Sequence, residues 1–308
     1  LNAPLPAPPA VRASHVERED HVIPGAFEYH RPTSVDEAVA LLSQHGDEAQ
    51  LLAGGHSLIP MMKLRMAQPG HIVDLQDVDG LRGIAQEGEV LRLGALVTQK
   101  EMIDSEHLTE VCPILRETAL MVADPQVRYC GTIGGNVANG DPGNDMPAVM
   151  QALNARYRLQ GPNGSREVAA RDFYEAAYFT ARAEDEVLTE VLIPAPAPGH
   201  GAAYEKQKRK VGDYATAAAA VILEMSGGQC TAAAIALTNV GDTPLFAEAA
   251  GAALVGTDVG PAAIAEACQL AQAITRPASD GRGPADFRTR VAGVMVHRAI
   301  VRAHDRSA

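Results

Sequence analysis

Two glycine pairs, Ala53-Gly54-Gly55-His56-Ser57 and Thr132-Ile133-Gly134-Gly135-Asn136, constrain this chain more than any other feature. Each follows an apolar or extended stretch and precedes a segment poor in charge. A glycine pair admits positive φ and lets the backbone approach a ligand without Cβ hindrance. Consecutive N–H groups can then converge on an anion and cradle phosphate oxygens. One pair alone is as well read as an ordinary tight turn. Two, flanked by Ser, Thr and Asn donors, point to a diphosphate held between two loops. Neither pair sits in a Gly-x-Gly-x-x-Gly or Walker motif, which argues against a Rossmann or P-loop nucleotide site.

The rest of the composition narrows the class. At 308 residues the chain has room for two domains and a sizeable core. Hydrophobic residues at 46% and charged residues at 21% fit a water-soluble globular protein. A formal net charge of -12 makes nucleic acid or an anionic membrane a poor partner. No apolar run approaches the roughly 20 residues that span a bilayer. Cys112, Cys130, Cys230 and Cys268 are scattered, with no C-x-x-C spacing, so the chain is expected to build neither a metal centre nor a disulfide framework. Reduced thiols in a cytoplasmic protein are the simplest reading, with Cys130 as a packed cysteine. Any redox centre here is then organic and bound. Residues 1–21 open Pro-rich, turn charged, lack the apolar core of a secretory signal and begin with Leu. They are expected to be a disordered extension or a numbering artefact, with folded structure from about residue 22.

Along the chain, Ser34-Val35-Asp36-Glu37 reads as a capping box, followed by an apolar helical face (Ala38, Val39, Leu41, Leu42) that Gly46 ends. Residues 51–53 read as a buried strand delivering the first glycine pair, with further strands at 71–75 and 90–94 and turns at Asp79-Gly80 and Glu87-Gly88. The periodicity predicts a helix over 108–123, with Pro113 in its first turn or at a kink. Another helix is expected over 145–155. Pro194-Ala195-Pro196-Ala197-Pro198-Gly199 is a stiff extended linker. Beyond it, residues 214–224 and 230–239 flank Ser226-Gly227-Gly228. Alanine richness there favours helix, while the glycine turn and the β-branched residues favour a hairpin, which is the reading adopted. Helices over 261–274 and from 284 to about 303 close the chain.

At the glycine loops and around them the sequence resembles the FAD-binding medium subunits of the molybdenum hydroxylases, above all the aerobic carbon monoxide dehydrogenase branch. The matching runs are Ile23-Pro24-Gly25-Ala26-Phe27-Glu28-Tyr29-His30-Arg31-Pro32, residues 53–62, residues 124–146, residues 204–220, and Ala278-Ser279-Asp280-Gly281-Arg282-Gly283-Pro284. The loops carry the superfamily; residues 140–146 and 206–214 narrow it to the branch. The resemblance implies an α+β fold: a vanillyl-alcohol-oxidase/PCMH-type FAD-binding domain over 22–198, with lobes of about 22–77 and 78–198. A smaller α/β domain over 199–308, with a three-stranded antiparallel sheet and helices, follows. It implies non-covalent FAD in this chain, a large molybdoprotein subunit with a molybdenum–copper site and a small subunit with two [2Fe–2S] clusters, assembled as a dimer of heterotrimers. Electrons from CO oxidation in the large subunit would reach FAD through the clusters and leave to an external acceptor such as a quinone. The expected location is the cytoplasm, with a peripheral place at the inner face of the cell membrane as the open alternative. Three alternatives stay open: a medium subunit of a xanthine, nicotine or aldehyde hydroxylase, a stand-alone flavin oxidoreductase, or a non-catalytic FAD-binding module.

The same resemblance assigns residues. Ala53, Gly54, Gly55, His56 and Ser57, with Thr132, Ile133, Gly134, Gly135 and Asn136, would meet at the FAD pyrophosphate. Their backbone N–H groups would donate, and Ser57, Thr132 and Asn136 would add side-chain bonds, each contributing roughly 1.5–3 kcal/mol to a charged group. His56 is read as a donor, since the matched branch does not attach its flavin covalently. Asp145 falls near the flavin or ribityl chain, with helix N-capping as its other role; Asp141 and Asn144 share that loop. Tyr214 falls against the isoalloxazine ring or is a hairpin tyrosine. Lys206, beside Lys208, Arg209 and Lys210, is a flavin contact able to stabilise the reduced ring's negative charge, or a solvated loop cation. Leu188 and Val122 align with apolar contacts or are core. No catalytic residue and no metal ligand is assigned to this chain.

Overall fold

A computed structural model describes residues 23–307; the expectation for residues 1–21 lies outside the described residues. Three short parallel strands form the first sheet, with His71–Asp74 between Glu28–His30 and Ala49–Leu52. The helix Val35–His45 links the two outer strands, and the Ser34 hydroxyl accepts the N–H of Glu37 at its start. The expected capping box is displaced by one residue, because the Glu37 carboxylate takes the N–H of Thr33 (2.7 Å) instead of that of Ser34. Ala38, Val39 and Leu42 bury against Ala49, Val73 and Leu75. Strand Ala49–Leu52 runs directly into the first glycine pair.

The second sheet has five antiparallel strands, in the order Ile84–Glu87, Val90–Gly94, Val187–Pro194, Arg156–Gly161, Gly164–Ala169. Between its second and fourth members the chain leaves the sheet for six short helices, Gln99–Asp104, Glu106–Val111, Pro113–Met121, Pro125–Cys130, Ile133–Ala138 and Met146–Ala152. The single helix expected over 108–123 is therefore two. Pro113 has no N–H with which to continue Glu106–Val111, and its fixed φ suits the first position of the next helix.

The third sheet is antiparallel: Gly201–Gln207, Ala217–Ser226, Gln229–Thr238, and a two-residue strand Leu245–Phe246 at its edge, four strands where three were expected. Gly227 and Gly228, at φ +58° and +79°, form the two-residue turn that matches strand twist in a hairpin. Residues 217–223 are strand despite their alanines because both faces are covered. Ala217, Ala219, Val221 and Leu223 bury with residues of the helices Pro261–Ala273 and Ala285–His304. Ala218, Ala220 and Ile222 join the core that contains the helix Met146–Ala152. Small side chains on alternate faces let helices approach the sheet from both sides. Among the described residues no helix is long and apolar enough to cross a membrane.

Candidate cofactor site

The two glycine loops touch, and glycine is what lets them. A Cβ on Gly54 would overlap the carbonyl of Cys130, and one on Gly135 would lie 3.7 Å from the Ala53 Cβ. Gly134 faces residue 95, where a Cβ would come within 2.6 Å of the Ala95 side chain. Of the four glycines only Gly55 has positive φ, at +74°. The positive-φ reading of the pairs thus holds for one residue; close approach of backbone explains the others.

The loops differ in their amides. Among the described residues, the N–H groups of Gly54, Gly55, His56 and Ser57 have no backbone acceptor, and the Ser57 hydroxyl makes no capping bond. Four donors in succession are thus without a backbone partner, two on half-buried glycines and two on the exposed His56 and Ser57. The second loop spends its amides internally. Ile133 N–H reaches Val97 O (2.8 Å), Gly134 N–H reaches Ala95 O (2.9 Å), Gly135 N–H reaches the Thr132 hydroxyl (3.0 Å) and Asn136 N–H reaches Thr132 O (3.0 Å). Thr132 is the N-cap of the short helix Ile133–Ala138, and a bridge to Thr98 stitches it to residues 95–99. The expectation that amides of both loops converge on one anion is corrected here. The first loop supplies backbone donors; the second supplies a close, Cβ-free wall and side chains.

A cavity of about 910 Å³ opens at this junction. Its walls include Ala53, Gly54, Gly55, His56, Ser57, Thr132, Gly134, Gly135, Asn136, Asn144, Asp145, Leu188, Val122, Lys206 and Tyr214. Ile133 is not among them: it is fully buried in the core on the other side of its helix. Asp141 does not line the cavity either; its carboxylate accepts the N–H of Gly143 at 2.8 Å. Asn144 ties the loops together by donating to Asn136 O, 2.8 Å. Cys130, expected to be packed, is exposed.

Asp145 does not cap the helix Met146–Ala152. Its carboxylate turns inward, where Lys206 Nζ (2.8 Å) and the Tyr204 hydroxyl (2.6 Å) donate to it. Both members of the ion pair are almost fully buried. Burial pushes the Asp145 carboxyl above its ordinary range, against the opposing pull of Lys206 and Tyr204. Lys206 Nζ also donates to Met121 O at 3.2 Å, leaving one of its three donors for the cavity. The basic run therefore does not act as a cluster. Lys206 is neutralised inside, while Arg209 and Lys210 are exposed, with Arg209 bonded to Asp213 (2.8 Å). Tyr214 lies over Gly143, and burial followed by the nearby Asp141 raises its phenol above the usual value.

Several wall residues escape a motif reading. Gln99 is 1% exposed, yet neither atom of its side-chain amide has a partner among the described residues, and Asn136 Oδ1 is likewise orphaned. Buried polar atoms of this kind take an ordered water or a ligand group as partner; Gln99 and Asn136 are the two that line the cavity, whereas Thr118, Gln151, His200 and Arg282 carry such atoms elsewhere. Gln99 occupies the first turn of a helix after a Thr98–Glu101 capping box, so its sequence context announces a helix start and nothing of its place in the cavity wall. Tyr178 and Phe179 stand exposed on the rim. Tyr178 adopts φ +64°, held by its N–H on Gly140 O at 2.7 Å, a conformation costly for a bulky residue and concentrated at ligand sites. Only the fold brings these groups to one place.

Comparison with known proteins follows the same geometry. Residues 25–196 match the family model described as FAD binding domain in molybdopterin dehydrogenase, and residues 202–303 that of the CO dehydrogenase flavoprotein C-terminal domain. The carbon monoxide dehydrogenase medium chain of Afipia carboxidovorans is 60% identical over 286 residues, covering 93% of this chain and 99% of that one. The corresponding chain of Hydrogenophaga pseudoflava is 49% identical over 287 residues, 93% of this chain and 100% of its own. A solved structure of the Cu,Mo-CO dehydrogenase superposes with a TM-score of 0.92 at 61% identity, over 92% of this chain and all of that one. Two family models that together span residues 25–303, and relatives similar from end to end, place this chain in the family of FAD-binding medium chains of molybdopterin dehydrogenases, together with those of carbon monoxide dehydrogenase.

Proposed function

We propose that this chain is the FAD-carrying electron-transfer subunit of an aerobic carbon monoxide dehydrogenase. Its FAD receives electrons from [2Fe–2S] clusters of a small subunit after CO oxidation at a molybdenum–copper large subunit, and an external acceptor such as a quinone takes them away. A dimer of heterotrimers is the proposed assembly. The observation that carries the cofactor reading is the run of four free amides at residues 54–57, facing a cavity near the top of the small-molecule range of about 300–1,000 Å³. The choice of CO rests on likeness to medium chains of that activity.

The residues present fit a dinucleotide. The amides of Gly54, Gly55, His56 and Ser57, with the Ser57 hydroxyl, suit phosphate oxygens. Gln99 and Asn136 offer unsatisfied amide groups, and Gly135 keeps the wall low enough for close approach. Tyr214, with Tyr178 nearby, offers an aromatic face for a flavin ring. Lys206 has one remaining N–H for the ring's polar edge. When bound, FAD supplies two-electron storage with one-electron steps. The chain contributes positioning, exclusion of water and a fixed neutral ion pair, and it needs no general base of its own.

The test is to purify the complex with its partner subunits, count FAD per chain and follow flavin bleaching by CO. One FAD per chain, bleached by CO, is expected. Colourless protein that cannot be reconstituted would end the cofactor reading. Bleaching by an aldehyde or heteroaromatic substrate, with none by CO, would end the CO assignment.

A further inference from the structure

Away from the cavity, three histidines from three separate elements converge. His30 ends the strand Glu28–His30, His45 ends the helix Val35–His45, and His71 begins the strand His71–Asp74. The parallel register sets Glu28 opposite His71, and His30, two residues on, shares the face of Glu28. His30 Nε2 and His71 Nδ1 lie 3.0 Å apart, while the His45 and His71 rings stack with centroids at 3.7 Å. One nitrogen from each ring falls within 4.8 Å of the other two, and the Glu28 carboxylate is 3.5 Å from His71 Nδ1. All three imidazoles are half-buried, and His45 makes no side-chain hydrogen bond among the described residues. None of the three lines the cofactor cavity.

We propose that His30, His45 and His71, completed by Glu28 or a water, form a binding site for a borderline divalent cation of the zinc class. Nitrogens of a tetrahedral site lie about 3.3 Å apart, as metal–nitrogen bonds of about 2.0–2.1 Å require; the His30–His71 pair at 3.0 Å is already near that spacing, with His45 within 4.8 Å of both. Imidazole with one carboxylate suits zinc, copper or nickel and is wrong for calcium or magnesium, which take oxygen ligands. Bound there, the ion pins the edge strand Glu28–His30 to its neighbour and to the end of the crossover helix. It thereby braces the sheet whose far strand, Ala49–Leu52, delivers the first glycine loop. The role is structural and independent of the flavin.

Zinc is the probe, since none of the groups proposed for the partner subunits contains it. The chelator-washed complex is titrated with Zn²⁺, and bound zinc per chain is measured for the native protein and for His45→Asn and His71→Asn, with FAD content reporting the fold. One zinc per chain is expected, with affinity falling in either variant by more than the roughly 10–100-fold that loss of an outer-shell support costs. Zn²⁺ should also raise the melting temperature of the native protein and of neither variant. Equal binding by all three proteins, or no saturable micromolar binding by the native one, overturns the site. Should the variants lose their fold, zinc-edge X-ray absorption of the zinc-loaded native complex decides: scattering from three imidazoles supports the site, and scattering from one or none refutes it.

Discussion

Lys206 and Asp145 face each other 2.8 Å apart with almost no access to water, 61 residues distant in sequence, and the Tyr204 hydroxyl holds the second carboxylate oxygen. The pair joins the strand Gly201–Gln207 to the loop that begins the helix Met146–Ala152.

Lys206→Met should cost about 3–5 kcal/mol in urea unfolding, because it strands a buried carboxylate. Adding Asp145→Asn removes that charge and keeps an acceptor for Tyr204, so the double variant should recover most of the loss. A double variant no more stable than Lys206→Met would show that the ion pair is not what stabilises this junction.

Gln99→Leu and Asn136→Leu should move stability and affinity in opposite directions. Each removes buried polar atoms that lack protein partners, so the flavin-free protein should hold its melting temperature or gain. FAD should bind at least about tenfold more weakly, the scale of one lost hydrogen bond to a buried partner. Unaltered FAD affinity in both variants would take these side chains out of the site.

Glu186 gives a pH dependence with a defined sign. Arg166 donates to both its carboxylate oxygens (2.6 and 2.8 Å), and Ala183 N–H adds a third bond at 2.8 Å. Arg166 first, with that amide assisting, holds the carboxyl below its ordinary range. Its stabilising contribution is therefore complete above the unfolded value of about 4.3 and is lost as pH falls through the depressed folded value. Glu186→Gln should lower stability by about 1 kcal/mol at neutral pH, with Arg166 half-exposed and screened. Chemical denaturation should show the gap closing below about pH 4. A gap that widens in acid would contradict the assignment.

The thiols should separate by reactivity. Cys112 is fully buried and its thiol is pushed up to about 12 by desolvation, whereas Cys130 is exposed. In mildly alkaline buffer an alkylating reagent should modify Cys130 in native protein and reach Cys112 only on unfolding, as peptide mapping would show. Early modification at Cys112 would mean that its helix pair opens readily.

Much of this was legible in the residues. Ser34 and Gly46 bracketed a helix, and Gly227-Gly228 marked a hairpin against the alanine bias around it. The two glycine pairs located the cavity. What they did not tell is how each pair works. A Gly-Gly string reads the same whether its amides are free, as at residues 54–57, or consumed by a neighbouring segment, as at Gly134 with Ala95 O. The inward turn of Asp145 was hidden for a related reason: an Asp before a helix looks like a cap until a lysine from a distant strand claims it. Gln99 and the three histidines carry no local pattern, since their partners come from long-range topology alone.

The alternation of residues 217–223 has a consequence for how this chain can be taken apart. Ala218, Ala220 and Ile222 join the core of the first half, and Lys206 and Tyr214 of the second half line the cavity beside the glycine loops. The prolines after Pro194 join the halves covalently without making them separable. Two fragments cut there would each carry a bare oily face, and would stay in solution only by finding one another again.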